Sequence, residues 1–249
     1  MSIPDIQPDV PELVTELAAG RPVVAVWVNG IGGVTWQIGS DAAREFVKLG
    51  PAHVEFEPAD EAERLAWAAR WMPVPEVLGV GYTPELRYLH TRGLPGHNAI
   101  SDAFRSHPVE TVTELGRALR HWHDSVPVRE CQFDWSAESR LSLLSPETRA
   151  GLGAPPKLDE VVCHGDACNP NFLLDDTRGV EGGVRCVGYV DLGRLGVGDR
   201  WADLAPALMS LGWNFGEGYE AAFLAGYGIE PDAGKRAWYA ALWDAAPGL

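Results

Sequence analysis

The chain has 249 residues, 46% hydrophobic and 22% charged, the balance of a folded protein with room for one domain or two modest lobes. Acidic side chains outnumber basic ones 35 to 20, for a net charge of −15; this sign opposes nucleic-acid phosphate and anionic lipid and attracts cationic ligands. No apolar run approaches the roughly 18–20 residues that cross a bilayer. Residues 1–14 carry Asp5, Asp9 and Glu12 and no Lys or Arg, unlike the basic start of a signal peptide. A cytoplasmic protein with no membrane or nucleic-acid partner is expected, as a monomer or a dimer. Cys131, Cys163, Cys168 and Cys186 form neither a CxxC pair nor a zinc set, so reduced thiols are expected.

In chain order, Val23–Val28, Val34–Ile38 and Glu45–Leu49 are β-rich pieces separated by Asn29-Gly30 and Gly39-Ser40 turn signals. Glu57–Trp71 predicts a helix with Ala62, Leu65, Ala66, Ala69 and Trp71 as its apolar stripe, ended by Pro73 and Pro75. Val77–Tyr82 and Leu86–Thr91 predict two more strands. Beyond Gly93-Leu94-Pro95-Gly96 the pattern turns helical. Val109–Asp124 places Val112, Leu115, Leu119 and Trp122 on one face, and Ser136–Ser145, Ala202–Leu211, Gly218–Gly226 and Gly234–Ala245 are further helix candidates. Phe172–Leu174 and Val187–Val190 suit short strands. The expected division is residues 1–93, a small antiparallel sheet with one long helix, and residues 94–249, mainly helical.

Two segments carry chemistry. In Glu160-Val-Val-Cys-His-Gly-Asp-Ala-Cys-Asn-Pro-Asn171, Asn171 follows Asp166 by five positions. Phosphoryl transfer to a hydroxyl needs a carboxylate to orient the acceptor and take its proton, and a ligand nearby for the metal on the triphosphate. The catalytic loop of protein kinases spaces its Asp and Asn in the same way, which makes Asp166 the candidate base and Asn171 a candidate Mg²⁺ ligand. Gly, Asp, Asn and Pro also build ordinary capped turns. Gly188-Tyr-Val-Asp191-Leu-Gly193-Arg194 adds an aspartate at the end of an apolar strand, 25 residues after Asp166. Its carboxylate suits a hard cation held between phosphates. The ordered pair is far more specific than either half.

Together the two segments, the second continuing Leu-Gly-Val-Gly-Asp-Arg-Trp-Ala-Asp-Leu-Ala, resemble the aminoglycoside phosphotransferases, bacterial antibiotic-resistance kinases, closest to the 3′ type. The likeness is strongest over Val161–Leu211 and weaker over Leu119–Phe133 and Ala62–Leu78. It implies a bilobal α+β, protein-kinase-like fold, ATP or GTP with Mg²⁺, and a hydroxyl of a cationic aminoglycoside as acceptor. It also implies a nucleotide-binding lysine on a strand paired with a helix glutamate. Lys48 is the only lysine before residue 157, and Glu61 follows thirteen positions later with Glu57 and Glu63 as competitors. Asn29-Gly30-Ile31-Gly32-Gly33 is neither a Walker A loop nor a clean Gly-x-Gly-x-x-Gly; phosphate cover by Gly30 and Gly32 and a plain hairpin loop both remain open. Leu89–Leu94, with Thr91 and Gly93, is the expected hinge whose backbone pairs with the base.

Asp199 and Asp203 are expected to brace the catalytic loop. His121 and His123 lie at i,i+2 and diverge on a helix, against shared metal ligation. Acceptor contacts are expected from Asn169, Arg194 and Asp244. The terminal Trp243–Leu249 keeps Asp244 but lacks the second acidic residue and terminal aromatic of relatives whose chain end lines the drug site, which implies a narrow aminoglycoside range. The alternatives are a kinase for another alcohol (a macrolide, choline or an amino sugar) and a nucleotide-binding pseudokinase regulator. The pseudokinase is disfavoured because Lys48, Asp166, Asn171 and Asp191 are all present.

Overall fold

The computed structural model describes residues 4, 6–40, 43–53, 56–83, 85–176 and 183–245. The chain divides into two compact units, Met1–Arg70 with Val74–Leu94, and Trp71–Pro73 with Pro95–Leu249. Asp5 and the last four residues of the terminal segment, named above, lie outside the described residues.

The first unit holds helix α1 (Glu12–Ala18), strands β1 (Val23–Val28), β2 (Val34–Ile38) and β3 (Glu45–Pro51), helix α2 (Pro58–Ala68), and strands β4 (Val77–Tyr82) and β5 (Leu86–Arg92). The strands form an antiparallel sheet in the order β1-β2-β3-β5-β4. Alternation decides which face is covered. Trp36 and Ile38 on β2 and Val47 and Leu49 on β3 pack with Val14 and Ala18 of α1 into one core. Lys48, between Val47 and Leu49, falls on the other face. The α2 stripe differs from the expected one: the buried positions are Glu61, Leu65 and Ala68, while Ala66 and Ala69 are exposed. The helix also ends at Ala68 rather than Trp71, and Trp71–Pro73 belongs to the second unit.

The second unit begins with β6 (His97–Asn98), α3 (Asp102–Arg105) and α4 (Pro108–Ser125), followed by α5 (Ala137–Ser142) and α6 (Pro146–Leu152). Strands β7 (Glu160–Cys163), β8 (Phe172–Asp176), β9 (Val184–Tyr189) and β10 (Gly196–Asp199) precede helices α7 (Trp201–Phe215), α8 (Glu220–Tyr227) and α9 (Ala233–Ala245). Two small antiparallel sheets result, β10-β7 and β6-β8-β9. The expected α4 face is buried, with Val112, Leu115, Leu119 and Trp122 all at 0% exposure; burial of each Leu contributes about 1.5–3 kcal/mol. Trp122 Nε1 donates to Val162 O (2.9 Å) and Tyr189 Oη to Ala118 O (3.0 Å), tying α4 to both sheets. Helices α4 and α8 meet at backbone distance: a Cβ on Gly116 would lie 2.1 Å from Phe223 O, and one on Gly226 would lie 2.2 Å from Thr113 O.

The single helix expected over Ser136–Ser145 is two. Ser145 is extended (ψ 152°) before Pro146, as residues preceding proline are. It caps α6 by accepting Thr148 N–H at 3.1 Å, as Ser136 caps α5 by accepting Ser139 N–H at 3.2 Å. Cys131, Cys163, Cys168 and Cys186 are free thiols. Among the described residues no helix is long and apolar enough to cross a membrane.

Candidate active site

In the second unit, β7 pairs with β10 so that Cys163 faces Gly196, and the chain leaves β7 as His164-Gly165-Asp166. Gly165 has φ +87°, and a Cβ there would lie 2.1 Å from Arg194 O. Only glycine allows the two segments to cross so closely. The loop is then held by its backbone. Asp203 on α7, 0% exposed, accepts His164 N–H at 2.6 Å and Gly165 N–H at 3.0 Å. The Asp203 carboxylate also meets His123 Nε2 of α4 at 3.0 Å, and His123 Nδ1 meets Tyr227 Oη of α8 at 2.7 Å. The expected brace by Asp203 is therefore in place. Asp199 acts one step away, accepting Asp159 N–H (2.7 Å), Trp201 N–H (2.9 Å) and Lys235 Nζ (2.6 Å), which fixes the approach to β7. His121 is turned away from His123 and meets Ser125 Oγ.

His164 is buried, stacked on Phe172 and tilted against Trp122. Burial pushes its pKa down, against the opposing pull of Asp203, Asp166 and Asp191, so the ring is neutral and serves packing. Asp166 Oδ1 is buried and accepts no hydrogen bond, leaving an acceptor held by a fixed backbone without its donor. Burial, and next the Asp166 charge, push the Cys168 thiol well up, so it stays protonated.

Asn171 Nδ2 donates to Asp166 O (2.9 Å) and Val190 N–H to Asn171 O (3.0 Å), joining the loop to the segment after β9 that carries Asp191. Asp191 has φ 64°, a left-handed conformation that costs an ordinary residue roughly 1–2 kcal/mol and Asp less. Because the Asn171 amide nitrogen is committed to Asp166, its Oδ1 is left as the ligand atom. An amide oxygen and one carboxylate fit Mg²⁺, which takes one or two protein oxygens and completes its shell with phosphates and water. Among the described residues no group of three or more His, Cys, Asp or Glu would hold a metal by itself, so these two residues would need the nucleotide's own oxygens.

In the first unit, Lys48 Nζ meets Glu61 Oε2 at 3.0 Å. Glu61 is 6% exposed within the apolar stripe of α2, a position that demands a cation. Glu57 instead binds Tyr82 Oη and Arg87. In the Asn29–Gly33 loop, Ile31 and Gly33 N–H donate to Asn29 Oδ1 at 3.2 and 2.6 Å. Gly32 has φ +85°, and Gly30 and Gly32 have open space around them. The loop is thus closed on its own asparagine. Thr91 is 8% exposed on β5, and Gly93 N–H donates to Arg44 O at 2.8 Å.

Of the expected acceptor residues, Asn169 is buried. It is 1% exposed, its N–H donates to Ser210 Oγ (2.9 Å), and its Nδ2 donates to Ala207 O (3.3 Å), so it anchors the loop to α7. Arg194 lies 5.8 Å from the rings of both Trp135 and Trp243, and Asp244 is exposed near the end of α9. Sequence reasoning does not single out Trp135 or the buried Arg140, whose guanidinium lies 4.4 Å from the Trp135 ring centre. Nothing in Ser139-Arg140-Leu141 distinguishes it from a surface arginine.

Comparison with known proteins gives the following similarities. The family model described as "Phosphotransferase enzyme family" matches residues 28–156 and 149–241. An aminoglycoside 3′-phosphotransferase of Streptomyces fradiae is 35% identical over 227 residues, 77% of this chain and 81% of that one. A streptomycin 3″-kinase of Streptomyces griseus is 30% identical, covering 80% of this chain and 84% of its own. The crystal structure of an aminoglycoside-3′-phosphotransferase of type VIII aligns with a TM-score of 0.75 at 28% identity, covering 90% of this chain and 93% of that chain. The α+β, kinase-like fold expected from sequence is borne out.

Proposed function

Because the chain belongs to the phosphotransferase enzyme family, we propose that it transfers the γ-phosphate of ATP, or GTP, to the 3′-hydroxyl of an aminoglycoside antibiotic and so confers resistance. The observation that carries this reading is Asp166 Oδ1, buried without a donor on a loop whose backbone is pinned by Asp203. The Asp166 carboxylate would receive the acceptor hydroxyl, orient its oxygen toward the γ-phosphorus and take its proton as the bond to the nucleoside diphosphate breaks. Asp191 and Asn171 Oδ1 would hold Mg²⁺, which supplies charge neutralisation on the phosphates when bound. Lys48, held by Glu61, would take the α- and β-phosphates. The net charge of −15 favours a polycationic acceptor. Arg194 and Asp244 are the candidate acceptor contacts.

The relative in Streptomyces griseus favours a second reading, with a streptomycin hydroxyl as acceptor. One screen tests both: nucleotide consumption with Mg²⁺ against aminoglycosides, streptomycin, macrolides, choline and simple sugars, with the phosphorylated position read by NMR. Turnover of a 3′-hydroxyl aminoglycoside is expected. Turnover of an uncharged alcohol and of no aminoglycoside would overturn the acceptor.

A further inference from the structure

Buried N–H groups in folded proteins are almost always paired, and an unpaired one calls for an explanation. Three gather at one place in the second unit. Arg140 on α5 is 3% exposed, and neither its Nε nor its Nη2 has an acceptor; the Trp135 Nε1 beside it has none either. Trp135 itself is fixed, since its backbone N–H donates to Val197 O at 2.9 Å and its backbone packs on Gly196 and Gly198 of β10.

A second cation enters the same place. The Arg194 guanidinium lies 5.8 Å from the Trp135 ring, against 4.4 Å for Arg140. Among the described residues neither arginine forms an ion pair. Asp203, the buried carboxylate whose charge acts on Arg140, is spent on His164, Gly165 and His123. Burial, and then the Arg194 charge, lower the Arg140 pKa to about 10, so Arg140 remains charged at neutral pH. Two like charges, one of them desolvated, are costly without an anion.

We propose that Trp135, Arg140 and Arg194 form a binding site for a phosphate-type oxyanion, carried on the phosphorylated acceptor or present as free inorganic phosphate. Two guanidinium forks and an indole N–H offer donors from three side chains, which suits a tetrahedral dianion better than a planar carboxylate. Arg194 connects the site to the catalytic loop, because its carbonyl packs against Gly165. The product form of the ligand rests on the phosphotransferase reading; the free-phosphate form does not.

The test uses the full chain without nucleotide or acceptor. Thermal unfolding is followed in inorganic phosphate and in chloride at matched ionic strength. Phosphate should raise the Tm of the wild type beyond chloride, and Arg140→Met should weaken the apparent affinity by about ten- to a hundredfold. Arg194→Met should weaken it in the same direction. No phosphate-specific rise in the wild type, or an undiminished rise in both variants, would overturn the site. If Arg140→Met does not fold, Arg194→Met decides: a retained effect overturns the site and a lost one supports it. Calorimetry with acceptor and phosphorylated acceptor then separates the sources. A larger loss for the product on mutation assigns the site to its phosphate, and equal losses assign it to free phosphate. Failure of the kinase reading would instead show as absent turnover with phosphate binding intact.

Discussion

Replacing Asp203 by Asn changes one atom in the buried first turn of α7 and should disable the catalytic loop. The carboxylate takes the N–H groups of His164 and Gly165 and meets His123 Nε2, with Asp203 and His164 both at 0% exposure. The wild type offers acceptors on both oxygens, whereas Asp203→Asn must point an NH₂ at one of these donors in either orientation. The least costly choice orphans Gly165 N–H alone, for about 1–3 kcal/mol. The two remaining bonds lose their charge assistance, roughly half their strength. A total of about 2.5–6 kcal/mol follows, a large share of the roughly 5–15 kcal/mol typical of whole proteins. The assay is amide hydrogen exchange at His164 and Gly165 together with turnover on the best acceptor. Both amides should lose protection relative to α4, and turnover should fall with them. Unchanged protection and turnover would refute the idea that this carboxylate holds the loop.

Asp166→Asn should leave nucleotide binding intact and lower turnover by about 10²-fold or more; single-turnover kinetics on the best acceptor would check it, and near-native turnover would remove Asp166 from the reaction. Asp191→Ala should weaken Mg²⁺-dependent nucleotide binding more than it weakens the fold, which calorimetry with and without Mg²⁺ separates. Lys48→Ala should lower nucleotide affinity while acceptor binding alone is unchanged, as titrations of each ligand would report. Glu45 is held down to about 2, chiefly by the Arg21 hydrogen bond and then by His90, against burial. A depressed carboxylate stabilises above its unfolded value of roughly 4.3, and that contribution is lost as pH falls through about 2. The Tm gap between wild type and Glu45→Gln should therefore be widest near neutrality and shrink below about pH 4; a gap independent of pH would contradict the pairing.

Strands β1, β2 and β4 are legible to the residue because alternation and flanking turn signals are local properties. So is the buried face of α4. The four-residue strands β7 and β10 are not, since Gly-Val-Gly-Asp has little strand character and becomes one only by pairing with Glu160–Cys163. The α2 stripe escapes sequence reading because a glutamate occupies a buried position, which is sensible only once Lys48 is opposite. Asp166, Asn171 and Asp191 can be read from spacing; the direction of Asn169 cannot, because Ser210 and the Ala207 carbonyl that hold it lie about forty residues away. Arg140 resembles a solvated helix residue for the same reason: its surroundings are assembled from α5, β10 and the segment after β9.

The glycine contact between α4 and α8 bears on how inactive variants should be interpreted. Any side chain at Gly116 or Gly226 must part the two helices, and the link from Tyr227 through His123 to Asp203 runs across that seam. A lesion there would reach the loop carrying Asp166 while leaving every residue that meets a ligand in its wild-type identity. In a genetic selection for loss of function, such mutants would score with the catalytic ones, and distance from the chemistry would be a poor guide to cause. Normal expression with slow turnover would be their signature, rather than a weakened grip on nucleotide or drug.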